Sequence, residues 1–140
     1  MKKIVFVCLG NICRSPMAEF VMKSLTDQLK IESRATSSWE HGNPIHRGTQ
    51  AIFKKYAIAY DRNKTSQQIS AADFAAFDYI IGMDESNVRD LKRMAPEDFQ
   101  HKIYQFEEES VPDPWYTGDF DQTYDLVLAG CKKWLERLDG

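Results

Sequence analysis

The apolar positions of this chain fall into short unbroken runs separated by stretches with three-four spacing. Lys3 to Cys8 carries the run Ile4-Val5-Phe6-Val7, whose β-branched and aromatic residues predict a strand. An unbroken run suits a strand covered on both faces, as in a parallel sheet. Met17, Phe20, Val21, Leu25 and Leu29 then recur at helical spacing. A helix is expected over residues 17–29, with Ser15 as its N-cap and Pro16 at its first position. Arg34 to Ser38 is expected to form a second short strand, and Trp39 to Pro44 a loop. Gly48 to Tyr56 reads as a helix with Ile52 and Phe53 inward. Tyr60 to Gln68 is polar and predicts no defined element. Ser70 to Asp73 opens a short helix that carries Phe74 and Phe77. Tyr79 to Met83 reads as a buried strand, Glu85 to Met94 as a helix that stops ahead of Pro96, and Lys102 to Phe106 as a further strand. Glu107-Glu108-Glu109 is expected to be a solvated acidic turn, and Asp113 to Gly118 a loop. From Asp119 on comes the clearest helix. Phe120, Tyr124, Val127, Leu128, Cys131, Trp134, Leu135 and Leu138 make its apolar face.

Strands that alternate with helices point to a doubly wound α/β fold. No repeat or linker divides the chain, so a single domain over residues 1–140 is expected. Ligands in such folds bind beyond the carboxyl ends of the strands. The loops after the first and last strands can both lie there.

Composition narrows the picture. The 140 residues are 43% hydrophobic, enough for one core. No run is long enough to span a membrane, and the basic start Met1-Lys2-Lys3 precedes an apolar run too short for a signal peptide. Three cysteines make an odd count, which argues against a secreted disulfide framework. A soluble cytoplasmic protein is therefore expected. The net charge of -3 gives no footprint for nucleic acid, and no membrane partner is implied. His41, His46 and His101 are scattered and read as surface or loop residues. No Cys/His spacing makes a zinc site, so neither metal nor cofactor is expected.

One stretch carries chemistry. Between the first strand and the first helix lies Cys8-Leu9-Gly10-Asn11-Ile12-Cys13-Arg14-Ser15. A strand end, a loop of consecutive N–H groups and a helix N-terminus make an anion site. The N–H groups from Leu9 to Arg14 can cradle a phosphate, and the Arg14 guanidinium can clamp two of its oxygens. A cysteine attacks as its thiolate, a form favoured by a helix N-terminus and a nearby cation. Cys8 is placed to do so, with the Ser15 hydroxyl donating to its sulfur. Gly10 and Asn11 are residue types that tolerate positive φ. A leaving alcohol needs a proton, and Asp113, stiffened by Pro114, is the best acid. Asp84, at a strand end, is an alternative acid but reads first as an N-cap. Trp115 and Tyr116 either wall a cleft or form a plain exposed rim. Trp39 is either a cleft wall or a loop anchor.

The loop resembles the signature of the low-molecular-weight protein tyrosine phosphatases: Cys, five residues, Arg, then Ser, near the N-terminus. Asp113-Pro114-Trp115-Tyr116 is similar to that family's late Asp-Pro followed by aromatics. Phe77-Asp78-Tyr79-Ile80 and Met83-Asp84-Glu85-Ser86-Asn87 extend the likeness over nearly the whole chain. The resemblance implies a flavodoxin-like, four-stranded parallel sheet flanked by helices. It also implies hydrolysis of aryl phosphate monoesters, with tyrosine-phosphorylated proteins or peptides as substrates. Cys8 is then the nucleophile that becomes a cysteinyl-phosphate, and Arg14 the clamp. Leu9, Gly10, Asn11, Ile12, Cys13 and Ser15 complete the phosphate-binding loop. Asp113 is general acid and then general base. Cys13 matches the family's second loop cysteine and suggests a reversible Cys8–Cys13 disulfide; a packed small residue is the alternative. A monomer is the expected state, with room for weak self-association.

The chain also departs from the family pattern. Many relatives have a histidine ahead of the third strand that supports the loop asparagine; here Tyr60 to Ser70 has none, and Lys64 lies near that place. His46-Arg47 stands where an aspartate before an arginine is common, and Trp115 where tyrosine is common. Two other readings have different requirements. An arsenate reductase needs further relay cysteines, and only Cys131, on an apolar helix face, remains. A phosphopeptide-binding module would lack the nucleophile or the acid, and both are present.

Overall fold

The computed structural model describes residues 1–138. Four strands, β1 (Lys2–Cys8), β2 (Leu29–Ala35), β3 (Tyr79–Gly82) and β4 (Ile103–Gln105), pair in parallel in the order β2-β1-β3-β4. Six helices accompany them: α1 (Arg14–Leu25), α2 (Arg47–Lys55), α3 (Ala71–Ala76), α4 (Glu85–Met94), α5 (Pro114–Thr117) and α6 (Phe120–Leu138). A 3-10 helix over Glu97–Lys102 leads into β4.

β1 is central, and its unbroken apolar run serves both faces. Ile4 and Phe6 join Ile81, Met83, Phe20, Phe53, Val127 and Trp134 in one core. Val5 and Val7 join Ile80, Ile103, Phe74, Phe77 and Leu91 in the other. Helices therefore cover both faces, the doubly wound arrangement expected from the pattern. The sheet order reverses beside β1, since β2 lies on one side of it and β3 on the other. The carboxyl ends of β1 and β3 flank this switch point, where such folds hold ligands.

Several boundaries differ from expectation. The first helix begins at Arg14 with Cys13 as its N-cap, not Ser15. The Met17 N–H already bonds back to Cys13 O at 3.2 Å, and the Ser15 hydroxyl is drawn to the Cys8 sulfur instead. The helix ends at Leu25, because Thr26 is extended. Leu29, which fits the helical spacing, opens β2, and the strand occupies residues 29–35 rather than 34–38. Its polar Ser33 and Arg34 are buried in internal hydrogen-bond networks, which hides the strand from a hydrophobic pattern. Residues 114–117 form a turn of helix, which Asp113 caps through the Trp115 N–H at 3.0 Å.

Candidate active site

The loop between β1 and α1 wraps around the Cys8 sulfur. Two N–H donors converge on it, Asn11 at 3.3 Å and Ser15 at 3.4 Å, and the Ser15 hydroxyl lies 3.1 Å away. These are the contacts a thiolate accepts. Asn11 adopts φ 56°, the left-handed conformation that turns the loop back toward Cys8. Gly10 does not share that conformation. Its role is close approach, because a Cβ there would stand 3.3 Å from the Glu40 side chain. Among the described residues no group uses the Gly10, Ile12 or Cys13 N–H, which leaves these donors for an anion.

Asn11 is held without the family's histidine. Its Nδ2 donates to Ser15 Oγ at 2.8 Å and to Ser33 Oγ at 3.0 Å, and its Oδ1 accepts the Gln67 N–H at 3.1 Å. Ser33 donates onward to Glu19 Oε1 at 2.6 Å. Lys23 meets the other Glu19 oxygen at 2.7 Å, and Lys64 lies 3.6 Å from Oε1 while donating to Ser33 O at 2.9 Å. The relay has a direction. Ser33 donates to the Glu19 carboxylate, so its oxygen accepts from Asn11. Asn11 donates to Ser15 as well, and the one Ser15 hydroxyl proton is shared between Cys8 Sγ at 3.1 Å and Arg34 O at 3.3 Å. Burial pulls the Lys64 pKa below the ordinary lysine value, and the Glu19 charge resists that. The polar segment 60–68, which predicted no element, is a strap behind the loop. Its Ser66 hydroxyl donates to Gly10 O at 2.7 Å, and Gln67 and Ile69 pair with Ala35.

Arg14 is buried beside Asp113, which lines the cavity. Nη1 donates to Asp84 Oδ2 at 2.6 Å and to Val111 O at 2.9 Å, while Nη2 reaches Asp113 Oδ2 at 3.3 Å. Burial works against the guanidinium charge. Cys8, the Asp84 hydrogen bond and Asp113 outweigh it and hold the Arg14 pKa above its ordinary value. Arg14 Nε is buried with no partner among the described residues. Such an orphan asks for an acceptor, and a phosphate oxygen is one. Asp84 caps α4 through the Asn87 N–H at 2.6 Å, as expected, and also pairs with Arg14, which the sequence did not indicate.

Cys8, Leu9, Gly10, Ile12 and Cys13 floor a cavity of about 130 Å³, with Asp113, Trp39, Glu40, Trp115 and Tyr116 around it. Trp39 is 78% exposed and Tyr116 77%, so both stand at the mouth rather than against the core. Burial foremost, then the charges of Cys8 and Asp113, push the Cys13 thiol up. Cys131 is buried against Ala18 O in the core, with its thiol likewise pushed up by burial. His41 and His101 are exposed, as expected, but His46 is not a loose surface residue. Its ring caps α2 and lies between Phe120 and Trp115. Among the described residues no cluster of three or more His, Cys, Asp or Glu could hold a metal ion. No described helix is long and apolar enough to cross a membrane.

Comparison with known proteins agrees with this geometry. A family model described as "Low molecular weight phosphotyrosine protein phosphatase" matches residues 3–140. The low molecular weight protein-tyrosine-phosphatase PtpA of Staphylococcus aureus is 45% identical, over 94% of this chain and 90% of its own length. The crystal structure of SP-PTP, a low molecular weight protein tyrosine phosphatase from Streptococcus pyogenes, superposes with a TM-score of 0.97. It is 64% identical over 99% of this chain and 93% of that one. DARP, a Drosophila arginine phosphatase, is 32% identical over 100% of this chain and 99% of its own, with a TM-score of 0.89.

Proposed function

This chain belongs to the low molecular weight phosphotyrosine protein phosphatase family and is a phosphotyrosine phosphatase, and from that premise we propose how its own residues perform the reaction. The observation that carries the proposal is one cavity lined by Cys8 and Asp113, with Asp113 bonded to a buried guanidinium whose Nε has no partner among the described residues.

The ester phosphate enters the loop of residues 9–14 and takes its free N–H groups, those of Gly10, Ile12 and Cys13 among them, together with the Arg14 guanidinium. The Cys8 thiolate attacks phosphorus. As the S–P bond forms, the bond to the tyrosine oxygen breaks, and Asp113 gives its proton to that oxygen. Asp113, now a carboxylate, takes a proton from water, whose oxygen attacks the cysteinyl-phosphate. Inorganic phosphate leaves, and the Cys8 thiolate and the protonated Asp113 are restored. The buried donors of the loop stabilise the charge on the transferring group. Trp39, Trp115 and Tyr116 supply aromatic walls for an aryl leaving group. Every residue in this scheme comes from one chain, which supports a monomer as the working unit. Its partners are tyrosine-phosphorylated proteins or peptides, with no nucleic-acid or membrane partner, and the cytoplasm is its place of work. Cys13, beside Cys8 in the cavity floor, serves as a resolving thiol when peroxide oxidises Cys8.

Turnover of p-nitrophenyl phosphate and a phosphotyrosine peptide, measured without metal, tests the scheme. Cys8→Ser should abolish turnover, and full activity in that variant would overturn the mechanism. Asp113→Ala should lower kcat/KM by about 10²–10⁴-fold on the peptide, with little change in inhibition by inorganic phosphate.

A further inference from the structure

Four contacts converge on His46. Its backbone N–H donates to Ile12 O at 2.9 Å, inside the phosphate loop. Its Nδ1 accepts the Gly48 N–H at 2.9 Å and so caps α2. Its ring stacks on Phe120, with centroids 5.1 Å and planes 18° apart. It also meets the Trp115 ring edge-on, at 5.6 Å and 81°. Trp115 in turn donates its backbone N–H to Asp113 Oδ1 at 3.0 Å. One residue therefore spans the distance from the phosphate loop to the acid.

The local sequence is built for this span. A Cβ at Gly48 would stand 2.4 Å from the Phe120 ring, so only glycine lets Phe120 lie against the first turn of α2 and under His46. Thr49 donates its hydroxyl to Cys13 O at 3.2 Å, so that turn grips the phosphate loop at two carbonyls. Across the cavity, the Asp113 carboxylate is tied to Arg14 at 3.3 Å, and Arg14 is the group a substrate phosphate claims. The contact between His46 and Trp115 does not depend on Arg14.

We propose that His46 is a positioning residue that fixes the Asp113 loop against the phosphate loop during the reaction. The inference rests on the reading of Asp113 as general acid. A misplaced acid matters most where the leaving group is poor. Phenyl phosphate has a poor leaving group, and p-nitrophenyl phosphate a good one that needs little protonation.

The test compares kcat/KM on these two esters, with the inhibition constant of inorganic phosphate as the readout of the phosphate loop. His46→Asn keeps a capping acceptor and removes the ring. It should lose about tenfold on phenyl phosphate and about twofold on p-nitrophenyl phosphate, with the inhibition constant unchanged within about twofold. His46→Phe restores the ring and should restore the ratio between the two esters. In an Asp113→Ala background, His46→Asn should not alter that ratio. Equal losses on both esters, an inhibition constant that rises in step, or no rescue by Phe would overturn the inference. Asp113→Ala alone separates the two claims. If it spares phenyl phosphate, the reading of Asp113 falls and this inference with it. If it discriminates between the esters and His46→Asn does not, this inference alone falls.

Discussion

Arg14 Nη1 and Asp84 Oδ2 stand 2.6 Å apart, while the other oxygen of Asp84 accepts the Asn87 N–H at 2.6 Å. One carboxylate thus starts α4 and orients the guanidinium. Asp84→Asn separates these tasks, because asparagine is an equally good N-cap. The helix should persist, and the charged hydrogen bond should be lost. Stability should fall by about 1.5–3 kcal/mol in urea unfolding, the usual range for a hydrogen bond to a charged group. With Arg14 less firmly oriented, kcat/KM on p-nitrophenyl phosphate should fall by about tenfold. A variant with unchanged kinetics would show that Val111 O and Asp113 suffice to orient Arg14.

The relay from Glu19 to Cys8 gives a second prediction. Ser33→Ala removes the acceptor for one Asn11 hydrogen and the donor to Glu19, and both groups are buried. The unsatisfied groups should cost about 1–3 kcal/mol of stability. Asn11 holds its φ of 56° through its side-chain bonds. Its loosening should raise the inhibition constant of inorganic phosphate as well as lower kcat. Loss of stability alone, with phosphate inhibition intact, would confine Ser33 to a packing role.

These two sites show what the sequence could and could not disclose. Cys8, Arg14 and Asp113 are legible because each sits in a short motif whose residue types fit one chemistry; in the structure Cys8 and Asp113 line one cavity, and buried Arg14 bonds to Asp113. The strands and helices were visible where apolar periodicity dominates, as in β1 and α6. Glu19 was not, because a glutamate amid the buried residues of α1 looks like an outward-facing interruption; its place is set by Ser33, Lys23 and Lys64 from elsewhere. β2 was misplaced for the same reason, since Ser33 and Arg34 are polar yet buried. His46 reads from sequence as a surface or loop residue because its partners Ile12, Trp115 and Phe120 are far from it in the chain. Tertiary hydrogen bonds leave no local signature, so the supporting network is legible only in the fold.

Gly130 yields a prediction about packing alone. It lies on the buried face of α6, and a Cβ there would come 2.3 Å from the Phe106 ring. That ring is itself held edge-on to Phe6, with centroids 5.8 Å apart. It cannot retreat without disturbing the core. Alanine, although the better helix former, should therefore destabilise by about 1–3 kcal/mol through overpacking. The shift should appear as a lower urea midpoint with kcat/KM of the folded protein unchanged. A gain in stability would mean that Phe106 has room to move.

The three thiols should separate by reactivity. Burial foremost raises the pKa of Cys13 and of Cys131, so each keeps its proton well into the alkaline range. Alkylation requires the thiolate, so neither should react at neutral pH. Iodoacetate at pH 7 should label Cys8 in the parent protein, with inorganic phosphate protecting it, and Cys8→Ser should take up almost no label. Because labelling needs proton loss, that variant should stay unlabelled as the pH rises into the mildly alkaline range. The same asymmetry sets the order of oxidation. Peroxide should first convert the Cys8 thiolate to a sulfenic acid, releasing hydroxide. The Cys13 sulfur should then attack it, giving the disulfide and water. Dithiothreitol should restore activity to the parent after brief peroxide treatment. Cys13→Ser, with no resolving thiol, should pass to the sulfinic acid and stay inactive. Equal recovery of both proteins would remove the redox role from Cys13 and leave it a packed residue of the loop, and labelling of Cys13 as fast as Cys8 would overturn the order of reactivity.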